Sequence, residues 1–216
     1  MFSVIFDMDG TLLDTQRICI PAWEAAGRDQ GIEGMGEYIP FVCGMNKAGY
    51  LGYAKEKQPS LDVDRFYSFT RQYIYDNLEV RYKKGAVELL EFLRANGVKC
   101  AVASGSSRES VEHHIKAVGG EKYFDAYVCG MEVEHGKPAP DIFLLTAERM
   151  GARPEDCFVF EDSSNGIISA HAAGMRPIGI ADVAPFDDRA KPLLWRELSH
   201  MGEAVEIFKE IMKEYR

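Results

Sequence analysis

Five short apolar runs recur along the chain with helical patterns between them: FSVIF (2–6), KCAVAS (99–104), AYVCG (126–130), CFVFED (157–162) and RPIGIAD (176–182). In each the apolar residues are nearly continuous instead of alternating, as in strands buried on both faces, and helices flanking a parallel sheet provide that cover. AVELLEFLRANG carries Val87, Leu90 and Leu93 on one side, or Leu89 and Phe92, and Gly97 is a natural stop. SRESVEHHIKAVGG, PAPDIFLLTAERMG and SSNGIISAHAAGM repeat that form. The alternation predicts an α/β fold with a doubly wound parallel sheet. GEAVEIFKEIMKEY adds an amphipathic helix with Val205, Phe208, Ile211 and Met212 available for packing.

One segment breaks the rhythm. Between residues 15 and 80 no core strand is expected, whereas Phe66, Phe69, Tyr73 and Asn77, or Ile74 and Leu78, fall at helical spacing. The expectation is a core of residues 1–14 and 81–216, interrupted by a helical insertion over 15–80. Ligands of open α/β sheets bind outside the carboxyl ends of the strands, so an insertion leaving the first strand there would lie over the site as a lid. Leu13 to Thr15 and Glu79 to Gly85 are its expected hinges.

A chain of 216 residues can bury a sizeable core. Its formal charge of −9 disfavours the broad basic footprint of nucleic-acid or anionic-membrane binding, so an anionic substrate must be drawn by a local cluster or a metal ion. MFSVIFDMDG has no basic leader, and no apolar stretch is long enough to span a bilayer. Cys19, Cys43, Cys100, Cys129 and Cys157 are odd in number and include no C-x-x-C pair, as expected of free thiols in a reducing cytoplasm. The expected form is a monomer or weak dimer.

The first apolar run ends in DMDGT (7–11). Asp7 and Asp9 share a face if the extended backbone continues through Asp9, which sets two like charges at the end of a buried strand. An Asp-Gly turn accounts for the residue types. A cation accounts for their crowding, and Mg²⁺ takes such oxygen ligands. CFVFED ends in Glu161 and Asp162, and in a parallel sheet it points the same way, so three or four carboxylates are expected to converge. Ser163 or Ser164 caps the helix that follows. ASGSSRES places Ser104, Gly105 and Ser106 between strand and helix, where N–H groups either favour an anion or simply form a capped turn. Lys137, in HGKPAPDIF, precedes a helix starting near the prolines, and its ammonium either reaches the same crevice or stands on the surface.

The ordered set DMDGT, Ser104, GKPAPDIF and EDSSNG closely resembles the haloacid dehalogenase superfamily, in its phosphatase and phosphomutase branch with a helical cap after the first motif. The resemblance implies a Rossmann-like core, a Mg²⁺ cofactor and a small phosphorylated metabolite as substrate. It makes Asp7 the nucleophile, Asp9 the general acid and base, and Lys137 the charge-neutralising lysine. Ser104 becomes a phosphate binder, with Gly105, Ser106 and the turn-bracing Thr11 counted beside it as substrate contacts. Asp162 becomes a Mg²⁺ ligand with Glu161 nearby, and Asp7 and Asp9 complete the metal set. A carboxylate nucleophile splits hydrolysis into two easier steps through an aspartyl phosphate. Two neighbouring carboxyls can divide the roles when their surroundings push their pKa values apart.

The resemblance also places substrate selection in a cap loop, here Cys43, Gly44 to Lys47 and Tyr50 of FVCGMNKAGY, with Lys47 as the candidate contact. A β-phosphoglucomutase-like enzyme would carry a histidine early in the first cap helix and an arginine in the cap loop. Ile18 or Cys19 and Lys47 stand there instead, which favours a phosphatase, with a phosphomutase as the alternative and a non-enzymatic phosphate sensor behind both. His113, His114, His135, His171 and His200 show no metal-ligand spacing and are expected in surface or packing roles. Trp23 is expected in a core.

Overall fold

The computed structural model describes residues 2–43 and 45–214. All five apolar runs form strands: β1 (Ser3–Phe6), β2 (Lys99–Ser104), β3 (Ala126–Cys129), β4 (Cys157–Glu161) and β5 (Arg176–Gly179). A sixth, β6 (Arg196–Glu197), adds two exposed residues at the edge. It was not expected, because two residues carry no readable period. The sheet is parallel throughout, in the order β3-β2-β1-β4-β5-β6.

Alternation across the pleat divides the apolar side chains between two layers. Val4, Phe6, Cys100, Val102, Phe158 and Phe160 pack on one face with α5 (Ala86–Ala95) and α9 (Ala204–Glu214), through Leu89, Leu90, Leu93 and Phe208. α6 (Arg108–Ala117) joins them through Val111 and Ile115. Ile5, Ala101, Ala103 and Val159 face the other way, toward Ile142, Phe143 and Met150 of α7 (Asp141–Met150) and Ala170 of α8 (Ser164–Ala172). Covered on both sides, the strands could be apolar at every position, which is why they read so clearly.

The strand order reverses around β1, which lies between β2 and β4, so the ends of these three strands flank the crevice where such sheets bind ligands. At this edge the chain departs into helices: α1 (Cys19–Arg28), α2 (Ile39–Val42), α3 (Lys47–Lys57) and α4 (Val63–Asn77). They carry an apolar cluster of their own around Trp23, Met35, Leu61 and Phe66. The outgoing and returning chains run side by side. Asp14 N–H donates to the Arg81 carbonyl at 2.9 Å, Lys83 N–H donates to that of Leu12 at 3.0 Å, and Leu13 and Tyr82 form an antiparallel bridge. All five cysteines are unpaired, and no described helix is long and apolar enough to cross a membrane.

Candidate active site

β1 delivers Asp7 to the centre of the crevice, where the carboxylate is nearly buried. Its Oδ1 accepts a hydrogen bond from Lys137 Nζ at 2.6 Å, and the same ammonium bonds Glu161. Gly10, at φ +86°, then turns the chain. A Cβ there would lie 2.6 Å from Asp162 Oδ2 and 2.7 Å from Gln16 Cδ, so glycine is required by space as well as by conformation.

Asp9 is held quite differently. Its Oδ1 accepts from Thr15 Oγ1 at 2.6 Å, and its Oδ2 accepts from Ser106 Oγ at 2.8 Å and Ser104 Oγ at 3.2 Å. Ser104 Oγ also accepts the N–H of Ser106 at 3.1 Å, which folds the loop after β2. The Asp9 carbonyl accepts from Gln16 Nε2 at 2.6 Å, while Gln16 Oε1 accepts from Cys43 Sγ at 3.0 Å. The Gln16 carboxamide thus ties the first loop to the helical segment.

Of the expected site residues, Asp7, Asp9, Gly105, Ser106 and Lys47 line one cavity of about 690 Å³ between sheet and helices. Ser104 and Lys137 stand behind that surface, bonded to Asp9 and Asp7. Gly44 lies outside the described residues.

Two expectations need correction. Thr11 is fully buried and donates to Asp162 Oδ1 at 2.8 Å, so its hydroxyl orients that carboxylate instead of meeting a substrate. Glu161 is fully buried with both oxygens engaged. One takes Lys137, and the other takes the N–H groups of Asp162 and Ser163 and the Ser163 hydroxyl at 2.9–3.1 Å. It anchors Lys137 instead of awaiting a metal. Gly166 is its complement, since a Cβ there would lie 1.9 Å from the Glu161 carboxyl. Ser163, not Ser164, is the cap of α8, its Oγ accepting the N–H of Gly166 at 3.0 Å.

Three or four carboxylates therefore do not meet at one point. Among the described residues no three His, Cys, Asp or Glu side chains are grouped to hold a metal ion. Yet the charge is unbalanced, because Asp7, Glu161 and Asp162 are all buried and the one ammonium buried with them pairs with Asp7 and Glu161 but not with Asp162. Asp162 Oδ2 is buried with no hydrogen-bond partner. Burial raises the Asp7 carboxyl to about 8 against the pull of Lys137, with Glu161 and Asp9 adding to the rise. Burial also pushes Asp162 well above the carboxylate range, and Glu161 and Asp7 add to it. On Lys137 burial acts downward but is outweighed by Asp7 and Glu161, which raise it. Mg²⁺ is ordinarily held by one or two carboxylates with several waters, so Asp7 and the unpartnered Asp162 oxygen fit it without a third side chain.

Reasoning from sequence missed most of the opposite wall. Tyr67, Thr70, Arg71, Ile74 and Tyr75 line the cavity along one stripe of α4, continued by its C-cap Leu78, at a spacing that a core-facing stripe would share. His113 and His114 of α6 line it as well, where surface or packing roles were expected. Trp23 belongs to the helical cluster, as expected, and also reaches the cavity.

The sequence model of the haloacid dehalogenase-like hydrolases matches residues 3–174. A phosphorylated carbohydrates phosphatase of Thermotoga maritima is 32% identical over 182 residues, spanning 82% of this chain and 84% of the relative. A Drosophila melanogaster protein described as a probable pseudouridine-5'-phosphatase is 36% identical over 197 residues, spanning 82% and 80%. A crystal structure of a hydrolase from Pseudomonas syringae shares the fold with a TM-score of 0.84, at 24% identity and covering 98% of this chain and 99% of that one.

Proposed function

The chain belongs to the haloacid dehalogenase-like hydrolases, and on that premise we propose that it is a Mg²⁺-dependent phosphatase of a small phosphomonoester, acting through an aspartyl phosphate on Asp7. The observation that carries this reading is the unequal treatment of two neighbouring aspartates. Asp7 is held by an ammonium, which has no acceptor and pulls the carboxyl toward its ionised form against the burial that raises it. Asp9 is held by three hydroxyls, each able to turn from donor to acceptor, so it can gain and lose a proton without losing its partners.

In the first step an Asp7 oxygen bonds to phosphorus as the ester oxygen leaves, and the leaving oxygen takes a proton from the Asp9 carboxyl. In the second, Asp9 removes a proton from water, the water oxygen bonds to phosphorus, and the bond to Asp7 breaks. Lys137 holds the nucleophile in place, and Ser106 with the Gly105 backbone lines the phosphate end. Asp7 and Asp162 would hold Mg²⁺, which when bound supplies the positive charge that one lysine cannot and offsets charge on the phosphoryl oxygens. Residues 15 to 80 serve as the cap, joined to the core by the paired segments at Leu12–Asp14 and Arg81–Lys83, and the unpaired thiols suit a reducing cytoplasm.

A second reading has one observation behind it. Arg71 joins Lys47 in the cavity wall, where two cations could grip a second phosphate as a phosphomutase requires. Phosphate release from a panel of phosphomonoesters, with and without chelator and with Asp7→Asn as blank, tests the proposal. Mg²⁺-restored release by the wild type alone supports it. Full activity in excess chelator removes the metal, and transfer of phosphoryl to a second hydroxyl instead of water supports the mutase.

A further inference from the structure

The two carboxylates that would hold Mg²⁺ open onto different spaces. Asp7 lines the large cavity between sheet and helices, whereas Asp162 lines a second cleft of about 370 Å³. Pro40 and Phe41 of α2, Ser164 and Asn165 at the start of α8, and the loop after β5 around Ala184 form the rest of its wall.

Side chains of the helical segment stand between the two spaces. Cys43 lines both, and its Sγ donates to Gln16 Oε1 at 3.0 Å, while Gln16 Nε2 donates to the Asp9 carbonyl at 2.6 Å. Gln16 lines the large cavity but not the cleft. It is close to Asp162 even so. A Cβ on Gly10 would lie 2.6 Å from Asp162 Oδ2, 2.7 Å from Gln16 Cδ and 2.8 Å from Gln16 Nε2. The carboxamide and the unpartnered carboxylate oxygen therefore meet over Gly10, one belonging to the cavity wall and the other to the cleft wall.

The cleft suits a hydrated cation. Mg²⁺ keeps several waters when one or two carboxylates hold it, and those waters need room and polar partners. Thr11 takes Asp162 Oδ1, so Oδ2 is the oxygen left for a cation, and the side chains of Ser164 and Asn165 bring polar groups to the same space. Arg189, a cation in this wall, donates to Asp187 Oδ2 from Nε at 3.0 Å and from Nη2 at 2.6 Å, which offsets its charge.

We propose that the divalent cation enters and leaves through this second cleft, with Gln16 as the partition that keeps the route apart from the substrate cavity. The inference rests on the reading of Asp7 and Asp162 as cation ligands. A phosphomonoester in the large cavity would cover Asp7 and leave the cleft open, so cation exchange and substrate exchange do not obstruct each other.

The test uses Mn²⁺ alone with the whole protein. Binding is followed after rapid mixing by loss of the paramagnetic resonance signal of the free ion, and release by its return on displacement with excess Mg²⁺. Ala184→Trp and, as an independent obstruction, Asn165→Trp should each slow binding and release together by about tenfold or more, within the range that association rates span among variants of one site. The dissociation constant should stay nearly constant, because a narrowed path slows both directions alike. Met131→Trp, at an 83% exposed position on the large cavity, should leave both rates unchanged. Gln16→Ala added to Ala184→Trp should restore the binding rate by opening the partition.

Mn²⁺ rates untouched by both cleft substitutions, or slowed by Met131→Trp, overturn the route and leave the phosphatase reading intact. Weaker binding with faster release would make Ala184 and Asn165 supports of the site itself, which also overturns the route. A double variant as slow as Ala184→Trp overturns the partition. Wild-type protein that binds no Mn²⁺ overturns the route together with the metal's part in the phosphatase reading.

Discussion

The two walls of the cavity treat their polar atoms in opposite ways. On the sheet side each of Asp7, Asp9 and Glu161 has its partners within the protein, and the atoms left without one are an oxygen of Asp162 and Nδ1 of His114. On the helical side aromatic and aliphatic residues share the wall with Gln16 and Asn46, its cations lie over a ring, and the Thr70 hydroxyl has no partner. A fully bonded polar network fixes geometry, which phosphoryl transfer requires. A sparsely bonded apolar wall fixes little and selects by shape. The contrast assigns chemistry to one wall and choice of substrate to the other.

If that division holds, changes to the sheet wall should harm every substrate and the fold itself. Lys137→Met leaves Asp7 and Glu161 as buried carboxylates without their ammonium, and breaking a buried pair from one side typically costs about 3–5 kcal/mol. Urea unfolding should show a loss of that order together with loss of turnover on all phosphomonoesters. Unchanged stability would mean that the pair is more hydrated than its burial indicates.

Asp9→Asn removes the proton carrier and should slow both steps, by roughly 10²- to 10⁴-fold. An aryl phosphate has a good leaving group and needs less protonation, so in single-turnover phosphorylation it should lose less than an alkyl phosphate. Equal losses would reduce Asp9 to a structural role.

On the helical wall the effects should be smaller and selective. Lys47→Ala should lower kcat/KM a few-fold for the physiological substrate and less for a small aryl phosphate, which ends before the wall. Indistinguishable profiles across a substrate panel would erase the distinction between the walls at that position.

The smallest effect concerns Glu132, which pins the loop carrying Met131. It accepts from Arg108 at 2.8 Å, Arg149 at 2.7 Å and the Cys129 N–H at 2.8 Å. Burial, the largest single influence, acts to raise its carboxyl, but these partners outweigh it and hold it at about 2 instead of the usual 4.5. The native state therefore keeps it ionised while the unfolded chain takes up a proton. Its stabilisation is complete above pH 4.5 and fades as pH falls toward 2. Glu132→Gln should be less stable at neutral pH and show a flatter decline over that window. Parallel acid-unfolding curves would contradict the pairing.

The same division explains what could be read from the sequence. Strands buried on both faces announce themselves as apolar runs, and their ends bring residues distant in the chain together, so Asp7, Ser104, Lys137 and Asp162 could be placed near one crevice. Glu161 was harder. It adjoins Asp162, and nothing in the order of two carboxylates shows that one of them locks inward onto Lys137. Thr11 likewise follows the turn, but its hydroxyl points to Asp162 through a fold that the local sequence does not contain. The stripe from Tyr67 to Leu78 has a clear helical period, yet a period reports that a face is covered and not whether protein or ligand covers it. Gln16 bonds across the two parts of the molecule, and no spacing rule reaches such a contact.

The central claim is that Asp7 receives the phosphoryl group. Protein carrying Asp9→Asn, which should discharge the intermediate slowly, is mixed with aryl phosphate and Mg²⁺, quenched in acid within one turnover, digested and analysed by mass spectrometry. The account predicts a mass increase of one phosphoryl group on the peptide bearing Asp7, absent when Asp7 is also changed to Asn. Stoichiometric product release with no adduct at any quench time, or an adduct on another residue, would contradict it.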